Sequence, residues 1–192
     1  MRIKLTFIII LCVLVAVGSA AVAKKLSLEF LVKNATIIVQ GTVKSTEAAW
    51  DKDNKEIWTE VKIEVSETFK GDKAETVSVF AHGGTVGEKA QEVAGSASFK
   101  AGEKVIVFGW KDSNGRMQIL GMAQGKFILY FAKDDLEYAK NSVSGMTLVD
   151  DDGKKLKEDE SKPTEMKLSD FTQAIKDFVA KEKEENSKET SE

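Results

Sequence analysis

The chain has 192 residues, with 28 Lys and Arg against 31 Asp and Glu and a formal net charge of −3. Its lysines are scattered among acidic residues, which argues against nucleic acid as a partner, because a phosphate backbone is bound by clustered cations that release counterions. A single cysteine (Cys12) and a single histidine (His82) leave no residues for a thiolate zinc site or a disulfide framework.

The N-terminus reads as an export signal. Arg2 and Lys4 precede an apolar run from Leu5 to Val17, and Ala21-Val22-Ala23 supplies a small-x-small leader-peptidase site. The run falls short of the roughly 18–20 residues a membrane span needs, so cleavage near Ala23 is expected, with no stable membrane insertion afterwards. Residues 1–23 are therefore read as a signal peptide, and the exported chain, periplasmic or secreted, starts near Lys24. Arg2 and Lys4 leave with it, so 26 basic residues then face 31 acidic ones, a net of −5. Cys12 follows Leu11, where a lipid-anchor motif needs a small residue. The mature chain is cysteine-free.

A short helix is predicted next, capped by Ser27, with Leu28, Leu31 and Val32 on one face. Period-two alternation follows in Ile37, Val39, Gly41 and Val43, where a mid-strand glycine signals a bulge or bend. Asp51 to Lys55 reads as an exposed hairpin loop. Ile57, Thr59, Val61, Ile63 and Val65 then alternate with polar partners and Trp58. Val77, Val79 and Ala81 mark another strand, and His82-Gly83-Gly84 breaks it. Residues 83–102 carry five glycines and no clear period, which reads as a long irregular excursion of the kind that often carries function.

Lys104 to Trp110 suits a strand buried on both faces, and Asp112-Ser113-Asn114-Gly115 predicts a type I′ hairpin turn. Met117 to Gly121 and Lys126 to Phe131 are expected to complete the sheet. The expected organisation is a β-barrel domain over 24–148, a charged linker over 149–166 and a C-terminal helix over 167–180 packing on the barrel. That helix places Leu168, Phe171, Ile175 and Phe178 along one stripe. Residues 181–192 are expected to form a disordered acidic tail. The predicted fold class is mainly β with flanking helices, a small antiparallel barrel of the OB-like kind; the alternative is an open sandwich.

Several residues carry this pattern further. They are Ile38 to Val43, Trp50, Phe69-Lys70-Gly71, Gly83-Gly84, Phe99 with Gly102 to Phe108, and Gln124 to Phe127. In this order they resemble a family of uncharacterised secreted bacterial proteins. The barrel of that family is similar to the OB-like fold of netrin and metalloproteinase-inhibitor modules. The resemblance covers roughly residues 27–131 and implies a barrel and an exported location. The inhibitor modules depend on an N-terminal cysteine and disulfides, so their mechanism does not carry over to a mature chain expected to lack cysteine.

Candidate sites are few. A hydrolase reading would join His82 to Ser96 or Ser98, with an oxyanion hole from the Gly83 and Gly84 amides. The simpler reading is a turn residue before a glycine pair. Asp150-Asp151-Asp152-Gly153 lacks the flanking acids of a calcium loop, so no metal or cofactor is expected. Asn34-Ala35-Thr36 fits a glycosylation acceptor and, equally, a helix end. Trp50 and Trp58 flank one hairpin, and Trp58 falls on the strand face opposite the apolar one. It is either a stacking surface for a ligand or a side chain packed beneath a helix or the excursion. The preferred function is a non-catalytic binding module for an exported protein or small ligand, presenting Trp50, Trp58, His82, Gly83 and Gly84, with a protease-inhibitor-like role as its narrower form. A hydrolase centred on His82 and a structural envelope component are the alternatives.

Overall fold

The hydroxyl oxygen of Ser27 accepts the Phe30 amide and starts helix α1 (Leu28–Asn34), and the Asn34 side chain donates back to the Phe30 carbonyl at 2.8 Å to close it. A computed structural model describes the chain over residues 21–189. The apolar run of the expected signal peptide and residues 190–192 of the expected tail lie outside that range.

Strand β1 (Ala21–Lys24) precedes α1. Five strands then build the barrel around a long hairpin: β2 (Ile37–Trp50), β3 (Ile57–Lys70) and β4 (Thr76–His82), then β7 (Lys104–Lys111) and β8 (Met117–Ile119). Between them lies a small hairpin, β5 (Gly84–Val86) with β6 (Lys89–Gln91). β2 pairs with both β3 and β7, β3 with β4, and β7 with β8. A parallel bridge from Phe80 to Gln118 joins β4 to β8 and closes the ring. The result is the OB-like barrel expected, antiparallel everywhere except at that closing bridge. The register of β2 on β3 shifts at Gln40/Gly41. A Cβ on Gly41 would fall inside contact distance of the Glu64 carbonyl oxygen, so the glycine lets two backbones approach at the bend.

The sheet does not end at Phe131. β9 (Lys126–Phe131) leaves the barrel along β7 and continues through β10 (Glu137–Asn141) to β12 (Glu165–Lys167), while β11 (Met146–Val149) pairs with β1. Strands β10, β11 and β12 are all short, and β10 and β12 are polar as well, so period-two alternation barely registers in them. The expected linker over 149–166 is held in place. Val149 bridges Lys155, the Thr164 amide donates to the Asn141 side chain at 2.8 Å, and its last two residues enter β12.

The expected tail is also corrected. Helix α2 (Leu168–Glu189) runs well past Ala180. Lys70 explains the extension: its ammonium donates to the Glu182 carboxylate at 2.7 Å and to the Val32 carbonyl at 2.8 Å. Lys181 pairs with Glu29, and Glu and Lys are themselves good helix formers. A composition suited to disorder becomes a helix once it has something to dock on.

The turn after β7 differs from expectation in detail. A type I′ turn requires positive φ at two residues, and here Gly115 has it (φ 81°) but Asn114 does not. The Asp112 carboxylate takes over, accepting the Asn114 and Arg116 amides at 2.8 Å each.

Candidate functional site

At one end of the β3–β4 ladder, Trp58 lies opposite Ala49 on β2 and His82 on β4, and Glu60 lies opposite Glu47 and Phe80. These side chains point away from the barrel interior, because Val61, Ile63 and Val79 at alternate positions fill it. Trp58 is nevertheless only 7% exposed. Two side chains from neighbouring elements lie against it. The Arg116 guanidinium lies 4.1 Å above its ring and the His82 imidazole meets it edge-on, ring centroids 3.5 Å apart at 79°. Asp112 holds Arg116 in place, with 3.4 Å between carboxylate and guanidinium. Burial pushes the Asp112 carboxyl up, but hydrogen bonds from Arg116, Gln118 and Asn114 hold it below its usual value.

Beside this stack lies a hollow of about 250 Å³ walled by Glu47, Trp50, Trp58, Glu60, Phe80 and Arg116. Trp50 is 37% exposed at its rim. Among the described residues Trp58 Nε1 has no hydrogen-bond partner and is buried, while Arg116 Nε has its 3.4 Å ion pair with Asp112. Asp51 closes the hairpin below, and amides of Lys55 and Glu56 keep its carboxyl below the usual range against the effect of burial.

The Gly83–Gly84 pair opens on the other side, into a wider cleft of about 1090 Å³ between β4 and the excursion. Gly83 (φ 90°) donates its amide to the Ile57 carbonyl at 2.7 Å and accepts the Thr59 hydroxyl at 2.6 Å. A Cβ there would strike the Gln91 carbonyl. The excursion is therefore laced down, with its β5–β6 hairpin at the start and the Ser96 hydroxyl donating to the His82 carbonyl at 2.7 Å. Ser96 thus reaches the backbone of His82, while the imidazole turns to Trp58. Burial lowers the imidazole pKa, Glu56 opposes the shift and Arg116 adds to it.

The sequence-predicted residues thus separate into two groups: Trp50 and Trp58 at the hollow, Gly83 and Gly84 at the cleft, and His82 on the wall between them. Sequence reasoning missed Arg116 and Phe80 at the hollow and Lys126 in the cleft. The Lys126 ammonium is buried against Phe99, donating to the Ser98 carbonyl and to Glu103 at 2.7 Å. Burial lowers its pKa and Glu103 pulls it back up. The one hint in the sequence is a charged residue opening the otherwise apolar run Lys126 to Phe131.

Among the described residues no group of three or more His, Cys, Asp and Glu side chains converges as a metal site would. Asp150 spends its carboxylate on the Asp152 and Lys154 amides. The chain matches no protein-family model, no curated protein and no solved structure.

Proposed function

We propose that the chain is an exported, non-catalytic binding module that takes a protein segment or small ligand at the Trp50–Trp58 hollow. The observation that carries this reading is a concave hollow at which Trp50 stands exposed beside Trp58 and the Arg116 guanidinium. Aromatic faces beside a guanidinium suit a ligand that stacks and brings an acceptor. Loops on a rigid scaffold are where binding residues concentrate. Inhibition of an exported protease by insertion of an edge or loop is a narrower form of the same proposal and rests on fold likeness alone.

The hydrolase alternative finds less support. The Ser96 hydroxyl is committed to a carbonyl, the Gly83 amide to Ile57, and the imidazole to an indole. The envelope-component alternative rested on a free acidic tail, much of which is helix here.

The test is capture from the exported fraction of the native organism with the purified protein as bait, read by mass spectrometry and by small-molecule profiling. The control carries Trp50→Ala and Trp58→Phe, the second removing the N–H while keeping a ring in the core. A ligand retained by the wild type and lost by the control supports the module. A ligand held equally by both moves the site to the cleft, and turnover abolished by His82→Ala would restore the hydrolase.

A further inference from the structure

The small-x-small pattern at Ala21-Val22-Ala23 places a leader-peptidase cut after Ala23, yet the fold uses those three residues. They form β1, which runs parallel to β11 in the register Ala21 to Met146, Val22 to Thr147, Ala23 to Leu148 and Lys24 to Val149. The Ala21 amide donates to the Gly145 carbonyl at 2.9 Å, and the Lys25 amide to that of Val149 at 3.1 Å. Lys24 pairs with Asp151.

Among the described residues β1 is the sole strand partner of β11. Leu148 is 2% exposed and Met146 packs on the barrel core. A cut after Ala23 would remove three of the four residues of β1 and leave the peptide groups of Met146 to Leu148 without their strand partner. That product would lose most of the β1–β11 pairing, a part of its own sheet.

A second small-x-small site lies immediately upstream, at Gly18-Ser19-Ala20. We infer that the processing site is the Ala20–Ala21 bond, so that the mature chain begins at Ala21 and its new terminus is strand β1. Hydrolysis of that one bond consumes one water and leaves a carboxylate on Ala20 and an ammonium on Ala21. The ammonium keeps the donor that the Gly145 carbonyl accepts, now charge-assisted. The inference rests on the export reading and sharpens where export leaves the chain.

The full chain expressed in its native host, recovered from the exported fraction, is read by N-terminal sequencing and intact mass. The expected first residue is Ala21. A first residue of Val22 or any later position overturns the inference while leaving export standing. A product that keeps Met1 and stays with the cell overturns both. Two variants check the bond independently of folding, because processing precedes it. Ala20→Asp is expected to block the cut and accumulate precursor, and Ala23→Asp to be processed as the wild type is. The reverse pattern would place the cut after Ala23 and overturn the inference.

Discussion

The molecule has two cores that share strands but not chemistry. Inside the barrel Val39, Val43, Val61, Ile63, Val79, Val105 and Val107 meet one another. Between the extended sheet and the helices lie Leu31, Ile38, Ile106, Phe108, Phe127, Phe171 and Ile175, with the Phe127 and Phe171 rings 4.4 Å apart. β2 and β7 serve both, sending Val39, Val105 and Val107 inward and Ile38, Ile106 and Phe108 outward. The fully buried side chains of this small barrel are short and branched, with Phe99, Met117 and Met146 packed against them. The gap between a sheet and a helix is wider and suits phenylalanine, which buries more area per residue. Core composition here follows from the shape of the enclosure.

Four measurements would break or sharpen this contrast. Phe171→Ala empties the centre of the helix-side core and is expected to cost about 3–5 kcal/mol in denaturant unfolding. If the two cores form one cooperative unit, tryptophan fluorescence from the barrel and helical circular dichroism will shift together. Separate transitions would show that the cores fold independently. Gly41→Ala presses a methyl group against the Glu64 carbonyl, and about 1–3 kcal/mol should be lost through strain at the bend. Ile63→Val removes one methylene from the barrel interior and should cost about 0.5–1.5 kcal/mol. A larger loss than at Gly41 would mean the bend yields more readily than the core.

The smallest effect is a titration. His82 is the single histidine, so its ring protons in NMR need no assignment. Its midpoint is expected below 6.5, chiefly because burial disfavours the charged ring. The unfolded chain then binds the proton first as pH falls below 6.5. The His82 contribution to stability is full above that value and is lost as pH falls through the lowered folded pKa. His82→Gln should flatten the slope in that window. A midpoint at or above 6.5 would contradict the burial of the ring against Trp58.

The first core was legible in the sequence, because β3 and β7 carry long, regular apolar patterns. Half of the second was not. Phe171 and Ile175 announced a helix, but β10 and β12 are short, with Glu137, Lys140, Glu165 and Lys167 among their residues, so no period pointed to a sheet for that helix to cover. The site divides in the same way. Trp58 could be read as an outward-facing aromatic from alternation alone. Its cover could not, because Arg116 and Trp58 lie far apart in the chain and are brought together by the closed barrel. Residues 181–189 were misjudged for a related reason. Composition describes a segment by itself, whereas Lys70 and Glu29 supply its partners from elsewhere.

The barrel is closed on one side by a single paired position, Phe80 with Gln118, whereas β2 and β3 pair along most of their length. Closure therefore has a weakest seam, and amide hydrogens of β4 and β8 beside it should exchange with solvent sooner than those of β2. Phe80 stands on one lip of that seam and Arg116, two residues before Gln118, extends from the other. Any molecule gripped between them also stitches the barrel shut. Occupancy of the hollow and closure of the ring become one linked equilibrium, so a ligand would register as slowed exchange along the seam before any activity was known.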